Sequence, residues 1–412
     1  MSAPVSALDS ADFRALTEAR FLLSFARRMQ TMVMAWQVYQ ITRDPLALGL
    51  IGLVEAVPSL GLALWAGDAV DRGEPLGVYR GVIGGSLLSV AMLLAAGRLA
   101  PSAAGHVAWI YAAAFVAGVA RGFSQPALYA LVPRIVPREA LARSSAWITT
   151  AFQTASVIGP GLGGVLFAWK GAPVPYALDA ALLVGALTLT LRVRAPLPAP
   201  ARPRAAESPL ARVTSGLRFV FADEILLSAL ALDMFAVLFG GVEAILPVFA
   251  AEILRVGARG LGVLMAAPAV GALLGSALMI RRPPDRGAGK TLLAVVAGFG
   301  ACVIVFALSR SLWLSAGLLA LAGALDSVSM VIRGAIVQLA SPDDMRGRVA
   351  AVNSMFIGTS NELGAFESGA AAKLLGAVPS VVCGGLVTLA TVAFAALASP
   401  KLRGLNLGDL KN

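Results

Sequence analysis

The sequence is almost without histidine and cysteine. His106 is its one histidine in 412 residues, and Cys302 and Cys383 are its two cysteines. Both cysteines lie in apolar runs, which excludes a disulfide framework. With so few ligands and nucleophiles, and no glycine-rich phosphate loop, a membrane enzyme is disfavoured, and no metal site or cofactor is predicted. Charge is scarce as well. Only 14% of residues are Asp, Glu, Lys or Arg, against about 25% in a soluble domain. A single water-soluble globule is thereby excluded.

What fills the chain instead is apolar. Hydrophobic residues make up 58% of it and its mean hydropathy is +0.81. A membrane-crossing helix needs roughly 20 consecutive apolar residues, and about 12 such stretches can be placed. They run over 17–41, 46–69, 77–97, 106–132, 144–169, 173–192, 219–250, 259–280, 291–309, 311–338, 347–374 and 377–398. The fold class expected is an all-α polytopic membrane protein with two pseudo-symmetric six-helix bundles.

The pseudo-symmetry is legible as a repeat. Val132, Pro137, Arg143, Ala146, Thr154, Gly159 and Gly164 return 205 residues later as Val337, Pro342, Arg348, Ala351, Thr359, Gly364 and Gly369. Gly52, Pro58 and Gly61 return as Gly262, Pro268 and Gly271. Internal duplication in a very apolar chain points to a transporter. Between the copies, 193–216 is rich in Pro and Arg and reads as a linker. The domains expected are therefore 1–192, the linker 193–216, and 217–412. Within this frame 216–223 predicts a surface amphipathic helix.

The chain carries 33 Lys and Arg against 23 Asp and Glu, a formal charge of +10. That excess resembles a nucleic-acid signal until its placement is read. Arg14, Arg20, Arg72, Arg80, Arg134, Arg192 and Arg286 fall on one side of the spans, while the other side holds few, such as Arg43, Arg98 and Lys170. This is the positive-inside asymmetry, so both termini are expected in the cytoplasm. The bilayer, not nucleic acid, is the partner the charge implies. His106, at the outer start of a span, is expected at the surface.

Charges inside the spans carry the functional expectation, because an ionisable group in hydrocarbon is costly. The first span holds Arg27, Arg28 and Gln30, the second Glu55, and the fourth Arg121, Ser124 and Gln125. The second half concentrates acids: Asp233, Glu243, Asp326, Glu362 and Glu367, with Arg333 seven residues beyond Asp326. The candidates for proton coupling or a substrate cavity are Arg28, Glu55, Arg121, Gln125, Glu243, Asp326, Arg333, Glu362 and Glu367. Arg121 and Asp326 are equivalent in the repeat, and Asp326 and Arg333 share a helix face. Gly67, Asp71 and Arg72 form a candidate cytoplasmic gate, echoed by Arg281-Arg282-Pro283-Pro284-Asp285-Arg286. Gly159, Pro160, Gly161 and Gly164 kink the fifth span and let another helix approach closely.

These features together resemble the major facilitator superfamily, over nearly the whole chain. Gly67, Asp71 and Arg72 match that family's loop after the second helix, although Gly73-Glu74-Pro75 departs from its basic continuation. Arg121 matches its fourth-helix arginine, which implies a part in proton coupling. Gly159, Pro160, Gly161 and Gly164 resemble the antiporter motif of its drug exporters. Trp36-Gln37-Val38-Tyr39, Ser124-Gln125-Pro126-Ala127 and Asn361-Glu362-Leu363-Gly364 resemble the bacterial enterobactin-exporter and macrolide-efflux branch. The resemblance implies a monomeric secondary active transporter in the bacterial inner membrane. It would export a small molecule, drug-like or a siderophore, by proton-coupled antiport and alternating access. The other readings are a lipid or metabolite carrier of the same fold and, from a different class, a membrane enzyme or scaffold.

Overall fold

The computed structural model describes residues 10–72, 74–100, 102–193, 209–281, 286–342 and 345–410. Most of the linker and the Arg282–Asp285 part of the second basic turn therefore lie outside the described residues. In chain order the helices are α1 (Ala11–Thr42), α2 (Pro45–Gly61), α3 (Ala63–Arg72), α4 (Pro75–Leu99), α5 (Ala103–Ile135), α6 (Leu141–Lys170) and α7 (Pro173–Leu191). Then come α8 (Pro209–Ala222), α9 (Glu224–Gly240), α10 (Leu246–Val248), α11 (Gly257–Arg281) and α12 (Ala288–Leu308). The chain finishes with α13 (Leu312–Ala340), α14 (Arg346–Leu375), α15 (Ala377–Ala398) and α16 (Pro400–Gly404).

Helix is what a bilayer demands, since each backbone N–H and C=O must find its partner within the segment. Among the described residues, nine helical stretches are long and apolar enough to cross a membrane. Three further spans, α1, α2 and α14, complete the expected set of about 12. Of these, α2 falls short in length, ending at Gly61 after 17 residues, and α1 and α14 in hydropathy. They carry Arg20, Arg27 and Arg28, then Glu55, then Glu362 and Glu367. Large apolar side chains face outward, with Trp313 75% and Ile280 85% exposed. Exposed apolar surface of this kind needs lipid against it.

Two expected spans are broken where the sequence carries helix breakers. The stretch 46–69 divides at Leu62 into α2 and α3, just after Pro58 and Gly61. Proline removes a backbone donor and crowds the preceding turn. The stretch 219–250 divides twice. Asp223 caps α9 by accepting from the Leu226 N–H at 2.8 Å. That helix stops at Gly240, and the chain passes through a 3-10 turn, Pro247 and a π-helical turn at Phe249–Ile253. The expected surface helix over 216–223 is the C-terminal part of α8.

Contacts divide the chain into two compact units that each borrow a segment from the other half of the sequence. One unit comprises Met1–Arg43, Leu53–Pro203 and Gly257–Ala266; the other comprises Asp44–Gly52, Arg204–Val256 and Ala267–Asn412. In the first unit α1 packs along α6 and α7, and α4 along α5 and α7. In the second, α12 lies along α13 and α15, and α9 along α14 and α15. The second unit's core gathers Leu226 and Leu230 with Ile332, Ile336, Val349 and Leu402, all nearly closed to solvent.

The borrowed segments turn the sequence repeat into repeated packing. In the first unit, a Cβ on Gly262 would strike the backbone of Pro160 and Gly161, and one on Gly164 would strike that of Ala258. In the second unit, a Cβ on Gly49 would strike Ala365 and Phe366, and one on Gly369 would strike Pro45 and Gly49. Ala365, Phe366 and Gly369 are the repeat equivalents of Pro160, Gly161 and Gly164. Small residues let these backbones approach within van der Waals contact.

Candidate functional site

In the first unit, α2 lies against α5 with no side chain between them. A Cβ on Gly118 would collide with the backbone of Glu55, and one on Gly122 with that of Ser59. This close approach sets the Glu55 carboxylate beside Arg121, whose Nη1 donates to Oε1 at 3.3 Å. Arg27 of α1 reaches the same oxygen, with Nη2 at 3.6 Å. Arg28, its neighbour, turns instead to α6 and holds its guanidinium 5.0 Å from the centre of the Phe152 ring. Gly159 makes that possible, because it brings α6 against Phe25, Arg28 and Met29 of α1. Gln125, one turn beyond Arg121, is exposed.

Arg20 corrects its sequence reading. Counted as a flanking charge, it is buried, donates from Nη1 to Ser124 Oγ at 3.2 Å, and lies 5.7 Å from the Phe152 ring centre. His106, expected at the surface, is half-buried and meets Gln37 Nε2 at 2.8 Å, while Tyr176 donates to Gln37 Oε1 at 2.9 Å. Gln30 donates to Ser89 at 2.8 Å, and Ser89 to the Ala113 carbonyl. These bonds tie α1 to α4, α5 and α7.

In the second unit, Arg333 of α13 and Asp233 of α9 form an ion pair of 2.6 Å. Both are buried, which makes the pair a desolvated contact with few alternatives for either charge. Asp326 stands two turns before Arg333 on α13, within electrostatic reach of Arg333, Asp233 and Glu243. Asp233 and Asp326 line one small crevice with Val237, Phe299, Leu325 and Ser329. Glu243 is exposed on the 3-10 turn after α9, Glu362 is buried on α14, and Glu367 is half-buried beside Ser368. Ser368 donates to the Gly241 carbonyl at 2.7 Å, so α14 satisfies the backbone where α9 ends.

The candidates thus fall into two charge clusters, one in each unit. Arg121, Arg28 and Glu55 belong to the first; Asp326, Arg333 and Glu243 belong to the second. Gly67, a candidate gate residue, sits on α3 with open space at its Cα, while the side chains of Asp71 and Arg72 lie outside the described residues. Of the antiporter-type residues, Gly159 faces α1, Gly164 faces Ala258 and Gly262, and the backbone of Pro160 and Gly161 lies beside Gly262, with open space where a Gly161 side chain would point.

Sequence reading underweighted three residues. Asp233 was legible as an intramembrane acid, but nothing nearby in sequence marks Arg333 as its partner. Phe152 is an ordinary apolar residue until Arg28 lies over it. Asp179 is a lone acid in the apolar run of α7, and burial is complete there, with neither oxygen hydrogen-bonded among the described residues.

Among the described residues the fold is all-helical and polytopic, with charges gathered inside each unit, the architecture of a membrane protein that handles polar or charged species. The family model for the Major Facilitator Superfamily matches residues 19–365, and the chain belongs to that family. Among curated relatives, "Enterobactin exporter EntS" of Salmonella typhi is 26% identical over 377 residues, covering 90% of this chain and 88% of the relative. Solved structures of the same fold include a bacterial homologue of the iron transporter ferroportin in an inward-facing state, with TM-score 0.71 and 16% identity over 96% of this chain and 99% of that one. A POT family transporter has TM-score 0.76 and 12% identity, over 95% of this chain and 96% of that one. The chain is a secondary transporter in a membrane, and a small molecule is its substrate.

Proposed function

We propose that this protein exports a small molecule, drug-like or a siderophore, by proton-coupled antiport through alternating access. The observation that carries the reading is the buried Arg333–Asp233 pair with Asp326 beside it. A pair closed to solvent resists separation unless one charge is neutralised. Protonating Asp233 or Asp326 would weaken the hold on Arg333, and so give a proton different interaction energies with two arrangements of α9 and α13. That difference is what a coupled switch requires. The relatives named as enterobactin exporters support outward transport of a siderophore-like cargo.

In this reading the protein is a monomer of the bacterial inner membrane, with both termini and the linker 193–216 in the cytoplasm. Residues 1–192 and 217–412 act as the two moving bundles, Gly159, Pro160, Gly161 and Gly164 form a gliding surface, and Gly67, Asp71 and Arg72 form the inner gate. Glu55, Glu243, Glu362 and Glu367 are the alternative proton carriers. Inverted membrane vesicles containing the protein should accumulate a fluorescent efflux probe when their interior is acidified, and release it when an uncoupler collapses the gradient. Accumulation that ignores the gradient would remove proton coupling from the proposal.

A further inference from the structure

Arg20 is a buried cation whose partners are all uncharged. It is 6% exposed, well inside α1. Its Nη1 donates to Ser124 Oγ at 3.2 Å, and the Phe152 ring centre lies 5.7 Å from the guanidinium. The Tyr79 phenol oxygen lies close by, short of hydrogen-bond geometry. Among the described residues no carboxylate comes within ion-pair distance of Arg20. Glu55 pairs instead with Arg27 and Arg121, at 3.6 and 3.3 Å. Arg27 adds to the cost, since its charge and that of Arg20 act on each other. A guanidinium keeps its proton, so burial penalises a fixed charge, and a counter-ion relieves that penalty.

Polar atoms at this place are left over as well. Arg20 Nε, Tyr79 Oη and Ser24 Oγ are buried and have no hydrogen-bond partner among the described residues. Tyr79 is fully buried and Ser24 is 5% exposed. All three atoms can donate. Ser24 follows Arg20 by four residues, which sets the two on one face of α1. Its hydroxyl also forgoes the bond that helical serines in this unit make. Ser86, Ser144 and Ser156 each donate to the carbonyl four residues earlier at 2.9 Å, and Ser24 does not. Unmet donors beside an unmet positive charge call for one acceptor that carries negative charge.

We propose that Arg20 Nε–H, Tyr79 O–H and Ser24 O–H bind a small monovalent inorganic anion of the halide class. The anion neutralises Arg20 and ties α1 to α4. A water molecule accepts from two donors at most and leaves the charge unmet. Burial sets the selectivity, because the anion must leave its hydration shell. Chloride and the more weakly hydrated iodide therefore fit, whereas a divalent sulfate is far costlier to desolvate. The site is independent of the transport reading, since neither cargo nor proton gradient takes part in it.

The test is thermal unfolding of the purified full-length protein in detergent, at fixed ionic strength, with gluconate exchanged for chloride, iodide or sulfate. The melting temperature should rise saturably with chloride, as it does for any ligand that only the folded state binds. Iodide should saturate the effect at lower concentration, and sulfate should act no better than gluconate. Tyr79→Phe and Ser24→Ala should each weaken chloride about tenfold, the loss of one hydrogen bond to a charged group. Both should melt near the parent in gluconate, whereas a merely structural hydroxyl would lower the melting temperature in every anion alike. Arg20→Met should abolish the chloride response. If that variant fails to fold, Ser24→Asp decides the matter: a carboxylate one turn from Arg20 should raise the melting temperature in gluconate and remove the response to chloride. A melting temperature indifferent to the anion, a response to sulfate equal to that to chloride, or a chloride response unchanged by Tyr79→Phe and Ser24→Ala would each overturn the site.

Discussion

Arg333 Nη1 and Asp233 Oδ2 stand 2.6 Å apart with side chains only 4% and 7% exposed, joining α13 to α9 through a contact that water does not reach. Removing one partner leaves the other charge buried alone. Asp233→Asn or Arg333→Met should each lower stability by about 3–5 kcal/mol, whereas the double variant Asp233→Leu/Arg333→Met should recover most of it. Melting curves of the detergent-solubilised protein measure this. Transport of the fluorescent probe should stay lost in the double variant; normal pH-dependent transport there would remove the pair from the coupling mechanism.

A second ion pair sits at a helix end and has a definite pH window. Lys373 Nζ lies 2.6 Å from Asp44 Oδ2, and the Leu46 N–H donates to Oδ1 at 3.0 Å. Burial pushes the Asp44 carboxyl up, but the Lys373 hydrogen bond, the Leu46 N–H and the Lys373 charge together hold it below the usual carboxylate range. A depressed value in the folded state stabilises it above pH about 4 and ceases to do so as pH falls through that lowered value. Because both side chains are partly exposed, the contribution is at most about 1 kcal/mol. Lys373→Met should therefore melt slightly lower than the parent at pH 7, with the gap closing only below pH 4. A gap that closes near pH 6 would assign the effect to another group.

The repeated glycine contacts make paired predictions. Gly164→Leu should force α6 away from Gly257–Ala266, and Gly369→Leu should force α14 away from Asp44–Gly52, since a Cβ at either position already meets backbone. Both variants should insert and fold yet transport poorly. Unimpaired transport by Gly164→Leu, measured at equal abundance in vesicles, would dismiss the gliding role.

Asp179 is a stability liability. With both carboxylate oxygens buried and without hydrogen-bond partners among the described residues, its desolvation is uncompensated. Asp179→Leu should raise stability by about 1–3 kcal/mol, seen as a higher melting temperature. A lower melting temperature would mean that an ordered water or ion satisfies the carboxyl.

Topology can be tested without transport. Reporter fusions at Ala205 and after Asn412 should both score cytoplasmic, as basic residues favour that side. An external score for either fusion would invert the topology and, with it, the gate assigned to Gly67, Asp71 and Arg72.

Much of the architecture was readable along the chain. Hydropathy marks a membrane helix because hydrocarbon forces every segment to satisfy its own backbone, so each span is nearly a local property. The breaks at Leu62 and Gly241 were legible only in part. Pro58 and Gly61 stood in plain view, but Gly241 needed the Ser368 hydroxyl of α14 to accommodate its carbonyl. The two borrowed segments, Asp44–Gly52 and Gly257–Ala266, were marked by the Gly52 and Gly262 echo without any sign of what they touch.

Composition and residue spacing alone require a helical, duplicated, membrane-embedded chain burdened with intramembrane charge. Which charges meet is set by how the helices pack. Arg121 takes Glu55 because glycines let α2 settle on α5, and Arg333 takes Asp233 because α9 passes α13 at that height. An ion pair forms over a few ångströms between residues far apart in the chain. Helix packing sets that distance, and no local pattern of residues encodes it.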